Sequence, residues 1–210
     1  MKRFVGVDLA SEEKKKTGIV CLNEKAELVE KPKYLFRDEE ILNYLTSFSP
    51  LWVGVDAPLS FPPPGKGYRL CDLTSLRMGV RLFPPLFLSS LTRRGMSLKK
   101  RLTQRGLKVI EVYPPLTQFT LSLKVEGKKP TRRWRESLQR GLLLWVRNLP
   151  PPSSLLLSVH LLDALLCALT AYFRGEGAYR EIGNPREGTI VMPSFNLPPR
   201  WGKRSFSSNR

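Results

Sequence analysis

The sequence predicts an α/β protein: a mixed five-stranded sheet flanked by helices, with a helical, proline-rich insertion between strands four and five. Three observations predict it. Three strand-like segments with short connections fall within the first 36 residues, which suits an antiparallel meander. Later strand-like segments alternate with helical patterns, which suits crossover connections. The phrase Val-Gly-Val-Asp occurs at 5–8 and again at 53–56, so two strands of buried character each run out into an acid.

The elements follow in order. RFVGVDLA (3–10) reads as a buried strand reaching Asp8, and the charged SEEKKKTG then turns the chain. GIVCLN (18–23) and AELVEKPKYLF (26–36) read as the next two strands, joined by a short turn at Asn23–Lys25. DEEILNYLTSF places Ile41, Leu42, Leu45 and Phe48 at helical spacing behind Asp38, a suitable N-cap. LWVGVDAP (51–58) is a fourth strand, carrying Asp56 and stopped by Pro58. Residues 58–106 read as an insertion or cap: FPPPGKG is a stiff loop, YRLCDLTSLRMGV a helix, LFPPLF a proline-rich turn. Within it, LTRRGMSLKKRLTQRG puts Leu91, Leu98 and Leu102 on one helical face. LKVIEVYPP (107–115) is a fifth strand, helices follow near 131–147 and 155–174, and GTIVMP (188–193) is a short edge strand. A meander followed by crossover strands resembles the ribonuclease H-like arrangement.

Length and composition narrow the classes. A chain of 210 residues suits one domain, 1–193, with a basic, flexible tail over 194–210. Hydrophobic residues at 41% and charged residues at 25% mark a globular protein. The odd set Cys21, Cys71 and Cys167 contains no Cys-x-x-Cys pair, which argues against a disulfide framework or a zinc ribbon. The single histidine, His160, excludes a His-rich metal site. Leu155–Phe173 is near the length of a membrane span, but Ser158, His160, Asp163 and Thr170 interrupt it, so a buried helix is expected and no membrane partner. The start carries no secretory pattern, and a reducing, cytoplasmic setting is the expectation.

The chemistry is expected at strand ends. A carboxylate closing a buried strand is costly to desolvate and requires a partner. If the strands bearing Asp8 and Asp56 are neighbours, two acids meet at one sheet end, where like charges repel unless a cation lies between them. Oxygen-rich sites of this kind suit Mg²⁺ or Mn²⁺. His160, Asp163, Cys167 and Thr170 step by three, four and three residues, a polar stripe on a leucine-rich helix that needs something polar to face. Glu111 is a further candidate on strand five, weighed against a salt bridge to an arginine. Asp72 with Arg69 and Arg77 reads as an internal ion pair, and Glu187 is a weaker candidate.

GVDLA, GVDAPLSFP, the R-x-x-CD-x-x-x-x-R run at Arg69, Asp72 and Arg77, EVYP, HLLDALLCALTA and EGTIVMP occur in that order. Together they resemble a widespread family of predicted nucleases with a ribonuclease H-like fold. The His-x-x-Asp-Ala helix is also similar to the last catalytic helix of RuvC-type Holliday-junction resolvases. The resemblance implies Asp8 as the first-strand acid, Asp56 as the fourth-strand acid, and His160 with Asp163 as the helix pair. It departs at Asp56, where the resolvases carry Glu, so the shorter side chain must be offset by a metal shift or by a nearby group such as Glu111. The implied activity is phosphodiester hydrolysis of DNA or RNA with two Mg²⁺ or Mn²⁺ ions held by Asp8, Asp56 and Asp163. His160 would orient the attacking water or bind the second metal, and a homodimer is the implied assembly.

The charge suits that substrate. Thirty-five basic residues against 18 acidic give +17, the balance of a protein that meets a polyanion. Arg93, Arg94, Lys99, Lys100 and Arg101 form one basic run, and Lys128, Lys129, Arg132, Arg133 and Arg135 surround Trp134 in another. Aromatic residues among cations suit backbone contact with base stacking. Trp134 also shares a face with Leu138 and Trp145, which suits a core position. Two other readings stand beside the nuclease: a non-catalytic nucleic-acid-binding protein, and an actin-like ATP-binding protein. The latter is disfavoured by the glutamates of SEEKKKTG, where phosphates would approach.

Overall fold

The computed structural model describes residues 1–194, and its core is a seven-stranded mixed sheet in the order β3-β2-β1-β4-β5-β7-β6. The strands are β1 (Arg3–Asp8), β2 (Thr17–Asn23), β3 (Lys33–Leu35), β4 (Trp52–Asp56), β5 (Val109–Val112), β6 (Tyr179–Asn184) and β7 (Gly188–Pro193). The helices are α1 (Asp38–Phe48), α2 (Leu70–Arg77), α3 (Ser89–Gln104), α4 (Pro114–Thr120), α5 (Arg132–Leu142) and α6 (Val159–Gly175). β1 pairs antiparallel with β2 and parallel with β4; β4–β5 and β5–β7 are parallel, and β6 closes the edge antiparallel to β7. An antiparallel meander running into parallel crossover strands is the ribonuclease H-like arrangement. Apart from Ser194, the basic tail expected at 194–210 lies outside the described residues.

The sheet has seven strands rather than five. β6 (YREIGN) carries little strand signal because it is an edge, and Ile182 is its one buried residue. With β6 outside it, β7 is an interior strand rather than the edge. β3 shrinks from the expected 26–36 to three residues. Pro32 precedes it and offers no N–H to a ladder, so only an isolated Leu22–Leu28 bridge extends the pairing. The prolines after Val112 do not merely stop β5. They open α4, where the missing N–H groups would be unpaired in any case.

Two apolar layers sandwich the sheet. On one face α1 and α3 pack together, with Ile41, Leu42 and Leu45 meeting Leu98, Leu102 and the valines of β1 and β4. Thus α3, the second half of the 58–106 segment, is the crossover between parallel strands β4 and β5, while Cys71 of α2 packs with Ile182 and Ile190 of β6 and β7. The other face is covered by α6, nearly every residue of which is buried from Leu161 to Phe173. No helix among the described residues is long and apolar enough to cross a membrane.

The approach of α6 to the sheet is set by three glycines. A Cβ on Gly6 would stand 1.9 Å from the Ala164 carbonyl oxygen and 2.2 Å from the Ala168 nitrogen. A Cβ on Gly18 would stand 2.6 Å from the His160 oxygen, and one on Gly54 2.5 Å from the Cys167 oxygen. The helix backbone therefore lies directly on β1, β2 and β4. Each glycine of the repeated Val-Gly-Val-Asp phrase makes room for the helix, two residues before the acid that the helix then faces.

Candidate active site

Asp8 and Asp56 are register partners at the ends of parallel neighbours β1 and β4. The same pairing that aligns the two Val-Gly-Val segments sets the two carboxylates side by side. α6, N-capped by Ser158, which accepts the Leu161 N–H, brings two more polar groups to this edge. His160 Nδ1 lies 2.6 Å from Asp8 Oδ2. Asp163, one turn on, is 3% exposed.

The electrostatics of the cluster are unbalanced. Lys129 Nζ donates to Asp163 Oδ2 at 2.5 Å, while Asp163 Oδ1 is buried and has no hydrogen-bond partner. Burial pushes the Asp163 carboxyl up to about 6, with Lys129 opposing and Asp8 adding to the shift. Asp56 is pushed well above the carboxylate range, first by desolvation and then by the charges of Asp8 and Asp163. His160 is raised, chiefly through its hydrogen bond to Asp8. Cys167, beneath the acids on α6, is also raised, mainly by burial. Three acids share a small volume with one lysine and one partly exposed histidine. A buried carboxylate oxygen without a partner is the donor type that hard divalent ions take. The acids do not form a ready-made coordination shell. Among the described residues, no three His, Cys, Asp or Glu side chains are grouped as ligands for one ion, and Lys129 engages the third acid.

Glu111 belongs to a different set. Arg69 grips its carboxylate with both terminal nitrogens, at 2.6 and 2.8 Å, and grips Asp72 as well, at 2.8 and 3.1 Å. Glu111 Oε2 also accepts the Leu59 N–H at 2.7 Å. It is thus neutralised by its own arginine and ties down the turn after Asp56, rather than serving as a free acid beside it. Arg77 is exposed, so the expected ion pair is Arg69 with Asp72 and Glu111. Glu187 accepts the first N–H of α2, from Leu70, at 3.0 Å.

Several cations expected at a nucleic-acid surface have other work. Arg94 is 8% exposed, and its guanidinium donates to Asp38, the Ala10 carbonyl and the Phe36 carbonyl. Arg101 pairs with Glu39, Arg132 with Glu136 and Arg133 with Glu126. Arg135 is half-buried and reaches the Leu157 carbonyl. Arg93, Lys99, Lys100 and Lys128 are exposed. Trp134 is buried in the layer with α6, so it stacks no base; the Lys129 ammonium sits over its ring instead. Lys129 is the residue whose place was not legible: a member of a basic run in sequence, it lies within the acid cluster in space. His160 also borders a groove of about 820 Å³ that sequence patterning did not reveal.

A family assignment accompanies this geometry: the description "Protein of unknown function (DUF429)" fits residues 6–188. The chain belongs to the DUF429 family. No curated protein matches this DUF429 chain. Among solved structures it is similar to Thermus thermophilus RuvC in complex with a Holliday junction substrate. There the identity is 16%, the match covers 83% of this chain and 96% of that one, and the TM-score is 0.48. A second Thermus thermophilus RuvC structure matches at 15% identity with the same coverage and TM-score.

Proposed function

We propose that this DUF429 protein is a metal-dependent nuclease. The observation that carries the reading is the convergence of Asp8, Asp56 and Asp163 from separate segments, with Asp163 Oδ1 buried and unpartnered. These three acids would hold Mg²⁺ or Mn²⁺, with two ions as the working stoichiometry. When bound, the ions supply Lewis-acid stabilisation of charge on a reacting phosphodiester. The chain's own groups do the rest. Asp8 holds the imidazole of His160 through Nδ1, leaving Nε2 to orient a water or carry its proton. Lys129, whose ammonium meets Asp163, would lie within reach of a phosphate brought to the acids. The exposed Arg93, Lys99, Lys100 and Lys128 and the +17 balance favour a nucleic-acid backbone as partner. The free, buried cysteines fit a reducing, cytoplasmic setting.

One observation favours a second reading, a non-catalytic nucleic-acid-binding protein: Lys129 already neutralises part of the acid cluster. Calorimetric Mn²⁺ titration and cleavage of labelled DNA and RNA separate the two. The nuclease reading expects saturable Mn²⁺ binding, lost in Asp8→Asn and Asp163→Asn together with at least about 10²-fold of any cleavage rate. A wild-type protein that binds no Mn²⁺ overturns it in favour of the second.

A further inference from the structure

We propose that the groove beside His160 seats an unpaired strand of nucleic acid, with Phe36 and Phe87 as stacking faces and Lys14–Lys16 as phosphate contacts. The inference rests on the nuclease reading and deepens it by naming the substrate class. The groove, about 820 Å³, runs between the β1–β2 loop, Phe36 and the start of α3, and ends at His160. Its volume lies within the range of about 300–1,000 Å³ typical of clefts that hold ligands. His160 lines the groove and is hydrogen-bonded to Asp8, so one side chain links the groove to the acid cluster. A strand lying in it would run past His160, the side chain that Asp8 holds.

The lining matches the two chemistries of a single strand. Phe87 is 82% exposed and Phe36 39%, large apolar surfaces beside a charged rim rather than in a core. Lys14, Lys15 and Lys16 are all exposed along that rim. Lys15 is held by Glu12, the acid in the lining, and Lys16 lies over the Tyr34 ring, so these two cations are positioned rather than free-swinging. Lys14 has no ion-pair partner among the described residues. The sixteen-residue helix α3 opens at Ser89 and Ser90, which line the groove, with no side-chain cap and no acid in its first turn, so its first N–H groups have no side-chain acceptor. Stacking faces beside cations and uncapped N–H groups form a platform for bases and backbone together.

An unpaired strand fits this lining better than a duplex. In a duplex each base face is covered by its neighbours, and Phe36 and Phe87 would find nothing to stack on. Stacking is tolerant of sequence because every base has a π-face, so selection is expected for unpaired structure rather than for a motif. A protein partner or a second copy could also cover Phe87. The cationic rim and the +17 balance favour the polyanion.

The test is fluorescence anisotropy in EDTA, where hydrolysis does not run, with labelled oligo(dT), oligo(rU) and a blunt duplex of equal length. The wild type is expected to bind a single strand more tightly than the duplex, and the two strand types show whether DNA or RNA is preferred. Phe87→Ala is expected to weaken strand binding on the order of tenfold while leaving duplex binding unchanged. Lys14→Ala is expected to flatten the salt dependence of strand binding by about 0.7 in log–log slope. Equal strand affinity in wild type and Phe87→Ala overturns the inference, as does a wild-type preference for duplex. A dimer that becomes a monomer in Phe87→Ala with strand affinity unchanged also overturns it, and assigns the patch to a second copy. Groove-dependent binding without Mn²⁺ binding leaves the strand seat standing and removes the nuclease reading alone.

Discussion

Gly6→Ala tests the packing on which the candidate site depends. The added Cβ would meet the Ala164 carbonyl oxygen at 1.9 Å and the Ala168 nitrogen at 2.2 Å, where ordinary contact begins at 3.4 Å. Both neighbours are backbone, so no rotamer change relieves the clash, and α6 must retreat by about 1.5 Å. Overpacking a core costs roughly 1–3 kcal/mol. Because a whole buried helix must move, a loss of about 3 kcal/mol is expected in urea unfolding followed by tryptophan fluorescence. His160 and Asp163 ride on the same helix, and a displacement of about 1 Å can cost on the order of 10²-fold in a reaction that needs alignment. Mn²⁺ affinity and any cleavage should therefore fall along with stability. Gly67→Ala is the control, since nothing lies within 4 Å of its Cβ, and it should stay within about 0.5 kcal/mol of wild type. If Gly6→Ala unfolds at the same urea concentration as Gly67→Ala, α6 does not rest on β1 as described and the placement of the helix acids loses its basis.

Two further outcomes are expected. Arg69→Met strands the carboxylates of Asp72 and Glu111, respectively 0% and 6% exposed, and should cost about 3–5 kcal/mol in denaturant unfolding; a loss under about 1 kcal/mol would show that the two acids find other partners. For Asp163, with its carboxyl raised from 3.8 to about 6, the folded state binds more protons than the unfolded one between those values. The metal-free protein should therefore lose stability as pH rises through that window, by on the order of 3 kcal/mol in total. Asp163→Asn should lack this slope and Mg²⁺ should suppress it in the wild type. The same slope in both proteins would contradict the raised acid.

What was legible in the sequence was what local spacing encodes. The Val-Gly-Val-Asp repeat marked two strands ending in acids, and the three-four-three spacing from His160 marked one face of α6. The role of the glycines within that repeat was not legible, because a close approach depends on which element crosses above. Arg94 carried a readable signal that a basic run concealed: it lies four residues before Leu98 and eight before Leu102, on the buried face of α3. Trp134, Leu138 and Leu142 share the same four-residue spacing on the buried face of α5. Lys129 had no such signal, and for Arg69 the spacing gave the pair with Asp72 but not the one with Glu111. Asp163 lies 34 residues from Lys129 and Glu111 lies 42 from Arg69, and only the fold brings each pair into contact. β6 was missed because an edge strand buries one residue and needs no apolar run.

The two groups of acids show why burial alone does not mark a reactive carboxylate. Asp72 and Glu111 are buried as Asp163 is, yet one guanidinium meets both carboxylates, and Glu111 gains a backbone N–H besides. Their hydrogen bonds are made within the protein, so this group has no call on a ligand and serves to hold the turn after Asp56. Asp8, Asp56 and Asp163 share the same sheet end with one lysine ammonium and one imidazole between them. Asp163 keeps an oxygen without a partner, and Asp56 is driven toward its neutral form first by burial and then by the charges of its neighbours. Folding makes such an arrangement more costly than the apolar alternative would be. A cation entering from solvent would remove that cost, which is why these acids and not the Arg69 group are the ones with a call on a ligand.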